Sequence, residues 1–248
     1  MKVIAEPFWI QKRGSPPNEY EDAACPLERS EYEQDDVRLA VADGATESVF
    51  ARRWAEQLVF AVCDRDLSAR SLAAGISSLR TNWREWLAGQ TLPWYAEEKA
   101  HQGAFAALVA LELTCDGAST TLEGNWHAAA VGDSCLFHVR EEEVLVRFPI
   151  ASPESFDNRP FLLGSLGVNE PSLNEEYASG TWISGDFFYL MTDALACWFL
   201  KHIDAGGKPS DIQGHISITE SFSAWIESLR DQGLIRNDDC TMVRVSIR

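Results

Sequence analysis

Val37-Arg38-Leu39-Ala40-Val41-Ala42-Asp43-Gly44 is the stretch from which this chain is best read. The apolar run from Val37 to Ala42 predicts a short strand, and Asp43-Gly44 stops it with a turn signal. The same ending recurs. Trp126 to Val131 stops at Gly132-Asp133, and the long apolar run from Trp182 to Met191 stops at Thr192-Asp193. Asp238-Asp239 stands at the head of the last run, Cys240 to Ile247, which reads as a half-buried final strand. Between these strands lie helical patterns. Val49, Phe50, Trp54, Leu58, Val59 and Val62 recur at three- and four-residue steps, and Leu67 to Leu87 repeats the pattern. Leu195 to Ile203 and Asp211 to Arg230 also read as helices. Ala104 to Leu113 has a helix-like composition, but Asp116-Gly117 and a further apolar run follow it, which favours strand. Cys135 to Val139 and Val144 to Phe148 are strands, with Glu141-Glu142-Glu143 a solvated hairpin turn. Phe8-Trp9-Ile10 is a short strand, residues 13–34 are polar and turn-rich, and Glu97 to Ala100 leads into the next strand. Strands and long helices mix without strict alternation. That predicts α+β layers rather than a doubly wound parallel sheet.

Composition narrows the function. The 248 residues carry 21 Lys and Arg against 38 Asp and Glu, a formal charge of −17. Such a chain lacks the cationic face that neutralises nucleic-acid phosphates, and an anionic membrane would repel it. A 46% apolar fraction with 10% aromatics excludes a disordered acidic tail. Pro and Gly are scattered rather than gathered into a linker, so one domain over residues 1–248 is expected. The first residues lack an apolar leader segment, and no run reaches the roughly 18 apolar residues of a membrane span. None of the six cysteines forms a CxxC pair, and most lie in apolar runs. The expectation is a reduced, cytoplasmic chain with buried free thiols. The five histidines are isolated, and neither a phosphate-binding glycine loop nor a GxSxG elbow occurs.

The aspartates carry the chemistry. Singly, an Asp after a strand is an ordinary turn or helix cap. Four of them at strand ends of one fold would bring carboxylates within a few ångströms of one another. Like charges that close do not all stay ionised without a cation. Hard divalent ions take oxygen ligands, so a binuclear Mg²⁺ or Mn²⁺ site that activates water and attracts an anionic substrate is the sharper reading.

Five segments resemble, in order, the metal-dependent PPM protein phosphatases, also called type 2C. They are Glu21-Asp22-Ala23, Val41 to Ser48 around Asp43-Gly44, Ala130-Val131-Gly132-Asp133-Ser134, Met191-Thr192-Asp193-Ala194 and Asn237-Asp238-Asp239-Cys240-Thr241. The similarity is to bacterial members and runs from about residue 12 to the C-terminus. It implies a four-layer α-β-β-α sandwich with a central antiparallel β-sandwich. It implies a protein serine/threonine phosphatase holding two Mn²⁺ or Mg²⁺ ions, with a third, weaker position. Asp43 would bridge the ions, with the Gly44 carbonyl on one of them. Asp193 and Asp238 would ligate the other, Glu21 and Asp22 would complete the site, and Asp133 would serve the third position. Asp239 is the remaining candidate ligand. The implied partner is a phosphoprotein tied to a Ser/Thr kinase or its targets, the implied state a monomer.

The chain departs from the family in places. Ala45-Thr46, followed by Glu47, replaces the usual Gly-Gly. Ala194 replaces a glycine, and would be strained if the backbone there were left-handed. The arginine that binds phosphate just upstream of Glu-Asp is replaced by Ser-Pro-Pro-Asn, leaving Arg13, beside Lys12, as the candidate. The short span from Phe161 to Trp182 leaves little room for a substrate-facing flap. Two rival readings stay open: a non-catalytic phosphatase-like scaffold, and a metallohydrolase of small phosphate esters.

Overall fold

The structure is a computed structural model, and it describes residues 1–46, 48–115, 123–156, 160–167, 173–216 and 219–248. The chain runs β1 (Lys2–Ile10), β2 (Ala23–Cys25), β3 (Ser30–Glu33), β4 (Asp36–Gly44), α1 (Ala51–Cys63), α2 (Ala73–Ala88) and α3 (Trp94–Ala100). It continues with β5 (Phe105–Thr114), β6 (Glu123–Val131), β7 (Cys135–Arg140), β8 (Glu143–Phe148), β9 (Leu163–Gly164), β10 (Glu176–Ile183) and β11 (Phe187–Met191). It closes with α4 (Asp193–Asp204), α5 (Thr219–Asp231) and β12 (Cys240–Ile247). One sheet has the order β3-β1-β12-β11-β7-β8. The other has the order β10-β6-β5-β4-β2, with β9 beside β5. Every pairing is antiparallel.

Strand alternation builds the layers. Val37, Leu39 and Val41 of β4 face inward with Val109 and Leu111 of β5, and meet Val243, Val245 and Ile247 of β12 between the sheets. The alternate residues Ala40, Ala42, Ala106 and Ala110 face outward under Trp54, Leu58 and Val59 of α1 and Ile76 and Trp83 of α2. Those small side chains let α1 lie close to its sheet, and the Trp54 indole donates to the Leu163 carbonyl at 2.8 Å. On the opposite side Met242 and Cys240 pack with Leu195 and Phe199 of α4 and Phe222 and Ile226 of α5. Both sheets are thus covered on both faces, which is why their strands read as continuous apolar runs. The four-layer α-β-β-α sandwich expected from the resemblance is what the structure shows.

Several local expectations are corrected. Trp182 to Met191 is two strands in different sheets. Ser184-Gly185-Asp186 turns the chain from β10 to β11, with Gly185 at φ +95°. The Asp211–Arg230 helix is a 3₁₀ turn, Pro209–His215, followed by α5. The second helix starts at Ala73, because Ser68 and Ser71 bridge across a turn before it. Glu97 to Ala100 belongs to α3, and Phe8-Trp9-Ile10 is the end of a nine-residue strand. Six free thiols are not found. β2 at the sheet edge and the end of α1 above it bring Cys25 and Cys63 to a Cα–Cα distance of 6.6 Å, and the two are disulfide-bonded. The Asp116-Gly117 turn, Glu47 and part of the short span after Phe161 lie outside the described residues. Among the described residues no helix is long and apolar enough to cross a membrane.

Candidate functional site

Strand register assembles the acidic residues at one end of the sandwich. β2 pairs with β4 so that Ala23 faces Ala42, and the next step places Asp22 beside Asp43. Asp43 itself pairs with Ala107 of β5. Gly132 packs on that same residue, because a Cβ there would stand 2.7 Å from the Ala107 Cβ. Asp133 therefore follows β6 into the same end. In the other sheet Met191 faces Met242, so Thr192 and Thr241 meet at the ends of β11 and β12, with the Thr192 N–H donating to the Thr241 carbonyl at 3.0 Å.

Asp22 ties the two sheets together. Its Oδ2 accepts the Thr241 hydroxyl at 2.7 Å and the Thr192 hydroxyl at 3.1 Å. Its Oδ1 is buried with no hydrogen-bond partner. Gly44 keeps the Glu21 backbone close, since a Cβ at Gly44 would lie 2.6 Å from the Glu21 carbonyl oxygen. Asp193 opens α4, where the helix dipole favours a negative charge. Ala194 is helical and absent from the left-handed residues, so the missing glycine costs no strain. Arg236 spans Asp193 and Asp238, bonding the first closely and reaching Asp238 Oδ2 at 2.8 Å.

The electrostatics follow from this crowding. Burial holds the Asp43 carboxyl well above the usual carboxylate range, and the negative charges of Asp22, Asp193, Asp133 and Asp238 push it further. Asp22 is raised strongly by burial and then by Asp239, against the threonine hydroxyls. Asp193 is raised by burial despite the Arg236 charge. Burial also raises Glu21, opposed by a Thr46 hydrogen bond and by the Lys12 ammonium.

The other sequence-derived candidates divide. Asp239 has both oxygens engaged, accepting the Lys12 N–H at 2.7 Å and the Glu21 N–H at 2.8 Å, so it fastens two loops. Arg13 turns away from the acids. Its guanidinium pairs with Glu227 and with Asp231 on α5, the latter at 2.8 Å. Lys12 takes the inward direction, with Nζ 3.7 Å from Glu21 Oε2 and 3.5 Å from Thr46 Oγ1. It lines a cleft of about 340 Å³ together with Tyr20, Glu21, Thr46 and Arg52. Sequence reasoning missed Arg236, which stands two residues before Asp238 and reads as a surface cation. It also missed the Thr192–Thr241 clamp, although both threonines lie inside the motifs.

Among the described residues, no group of three or more His, Cys, Asp or Glu side chains stands close enough to hold an ion as arranged. The donor chemistry nevertheless suits one. The candidate donors are all oxygens, Asp22 Oδ1 and Glu21 Oε2 are buried without hydrogen bonds, and hard divalent ions take oxygen ligands.

Known proteins share this architecture. The serine/threonine phosphatase PstP/Ppp of Mycobacterium tuberculosis superposes with a TM-score of 0.60 at 15% identity, covering 100% of both chains. The PstP catalytic domain in complex with two manganese ions gives 0.56 at 17% identity over 99% of each chain. The S. agalactiae serine/threonine phosphatase gives 0.57 at 16%, over 98% of this chain and 100% of that one. These likenesses establish the fold. No curated protein matches the chain in sequence. The sequence profile of the family described as Protein phosphatase 2C matches residues 21–239. With that span covering most of the molecule and every candidate acidic residue from Glu21 to Asp239, the chain belongs to the protein phosphatase 2C family.

Proposed function

We propose that this chain removes phosphate from phosphoserine and phosphothreonine in proteins, using two Mn²⁺ or Mg²⁺ ions in its acidic cleft. The observation that carries the reading is Asp43. The charges of Asp22, Asp193, Asp133 and Asp238 all bear on it, and among the described residues nothing donates a hydrogen bond to its side chain. A half-buried carboxylate in such company calls for a cation. Asp43 with Gly44, Asp193 with Asp238, and Glu21 with Asp22 would hold two ions, and Asp133 a third. Such ions supply an activated water and positive charge for the phosphoryl oxygens.

The chain's own groups set the geometry. Thr192 and Thr241 fix Asp22 without neutralising it. Asp239 anchors the backbone at Lys12 and Glu21, so the Lys12 ammonium is carried to the cleft. Lys12 rather than Arg13 is therefore assigned to the phosphoryl oxygens, because Arg13 is already paired with two carboxylates. The partner is a phosphoprotein made by a Ser/Thr kinase.

The test is Mn²⁺-dependent hydrolysis of p-nitrophenyl phosphate and of a phosphothreonine peptide. Turnover that Asp43→Asn and Asp193→Asn abolish is expected. No turnover from a folded protein would sink the enzyme reading and leave the scaffold. Turnover of the small ester without the peptide would move the assignment to a small-ester hydrolase.

A further inference from the structure

A second groove starts where the acidic site ends. It holds about 250 Å³ and shares Asp193 and Arg236 with the site. Its floor is one face of α4, because Ala194, Cys197, Trp198 and Lys201 recur at helical spacing. From Asp193 to Lys201 that face runs about 12 Å, at roughly 1.5 Å per residue. This matches three to four residues of extended peptide at about 3.3 Å each. Pro153 and Phe156 form one wall, and Leu234 and Ile235 the other. Leu234 is 50% exposed, so it offers apolar surface beside a polar site.

The walls are tied down. Arg147 donates to Asp204 Oδ1 at 2.8 Å and to the Ala151 carbonyl at 3.1 Å, fastening the Pro153 turn to the end of α4. The Leu234 N–H bonds the Leu229 carbonyl at 2.9 Å, and Ile235 is buried against the core. Charge marks both ends of the groove. In a chain of net charge −17, its two ends carry cations, Arg236 beside Asp193 and Lys201 at the far end. Glu154 stands near Lys201; the Ser152 hydroxyl holds its carboxylate in place and leaves it charged, without a direct ion pair to Lys201. Among the described residues Lys201 makes no ion pair.

We infer that this groove selects the substrate sequence: it takes an apolar side chain next to the phosphorylated residue and disfavours a basic one. This rests on the phosphatase reading above. The phosphorylated side chain enters at Asp193, its neighbour lies between Phe156 and Leu234 over Trp198, and Lys201 meets the residue beyond. An apolar occupant buries its side chain against Trp198 and Leu234, whereas a lysine there brings its ammonium toward Lys201.

The experiment uses the full chain with Mn²⁺ and three phosphothreonine peptides that differ only beside the phosphothreonine, carrying Leu, Gly or Lys, tested on either side of it. On the favoured side kcat/KM should fall in the order Leu, Gly, Lys, with Leu above Gly by about tenfold, the value of partly burying one aliphatic side chain. In Leu234→Glu the Leu-to-Gly ratio should collapse toward one, and in Lys201→Glu the penalty on Lys should shrink or reverse. Each ratio is taken within one preparation, so a change in active fraction cancels, and melting temperatures check folding. Equal rates for the three peptides on both sides, or a Leu preference that survives Leu234→Glu, would overturn the groove while leaving the phosphatase reading intact. Absence of any Mn²⁺-dependent turnover, of p-nitrophenyl phosphate included, would overturn the phosphatase reading, and the groove inference with it.

Discussion

Asp43→Asn should stabilise the metal-free protein while destroying its response to metal. Asp43 lies among Asp22, Asp133, Asp193 and Asp238, and burial with their charges raises its pKa. Asparagine keeps the shape and removes the charge, and its amide can donate to the neighbouring carboxylates. Asp43 is half-buried, so relief of this unpaired carboxylate is worth at most about 1–3 kcal/mol. In a chain of this size that is a rise in Tm of about 2–12 °C. The pH dependence has a definite sign. Asp22, Asp43 and Asp193 all hold their protons more tightly folded than unfolded. Above the ordinary carboxylate pKa of about 4, the folded state therefore binds more protons than the unfolded one, so stability falls as pH rises toward the folded values. Below about pH 4 the penalty vanishes, because both states are protonated. The assay is thermal unfolding between pH 4 and 8 in EDTA and in Mn²⁺. Wild type at a hundredfold excess over Kd should gain about 2.7 kcal/mol, or about 5–11 °C, and Asp43→Asn only a small part of it. The order of stability should cross: variant above wild type in EDTA, wild type above variant in Mn²⁺. A variant that is less stable in EDTA, or that keeps the full Mn²⁺ shift, would refute the reasoning.

Arg236→Gln removes the cation that pairs Asp193 with Asp238 and competes with an ion for them. The pair is half exposed, so its worth is about 1 kcal/mol at most, and calorimetric Mn²⁺ affinity should tighten by about three- to fivefold, with weaker binding counting against the competition. Asp186→Asn tests a buried network far from the acids. The fully buried Asp186 accepts two Arg140 bonds at 2.8 and 2.9 Å, one from His138 at 2.9 Å and the Ile183 N–H at 3.0 Å, and its loss should cost about 2–4 kcal/mol, read as a fall in urea midpoint at unchanged slope. Burial pushes the Asp186 carboxyl up, but those bonds prevail and hold it below the usual range, so the variant's deficit should be full above about pH 4 and shrink as pH falls through the folded value.

The same feature made parts of the fold legible and other parts opaque. β4, β5 and β12 are covered on both faces, so their apolar runs announced them. The run from Trp182 to Met191 is apolar for the same reason, and that continuity hid the passage from one sheet to the other at Asp186, whose charge is compensated by the distant Arg140 and His138. The Cys25–Cys63 pairing was invisible because it depends on a three-residue strand docking under α1, 38 positions away in sequence. At the site the acids were legible because each sits in a short motif at a strand end. The cations were not. Lys12 and Arg13 are adjacent, and only the clamps from Asp239 and Asn237 on their backbone N–H groups decide which one faces the cleft.

Those clamps explain how a fold tolerates so many buried acids. Asp22 is oriented by two threonine hydroxyls, and Asp239 by two backbone N–H groups. Such neutral donors fix an oxygen in space but leave its charge in place. The countercharge on Asp193 and Asp238, Arg236, sits on a side chain that is 52% exposed. Long exposed side chains withdraw at little cost, because a solvated ion pair is worth about 1 kcal/mol or less. Position is therefore held by groups that cannot leave, and charge by groups that can. A site that must exchange its own cations for divalent ions needs this division. Replacing the threonine clamp by a buried arginine would stabilise the metal-free fold at the expense of the ion, so the neutrality of Thr192 and Thr241 is as much part of the proposed site as the aspartates they hold.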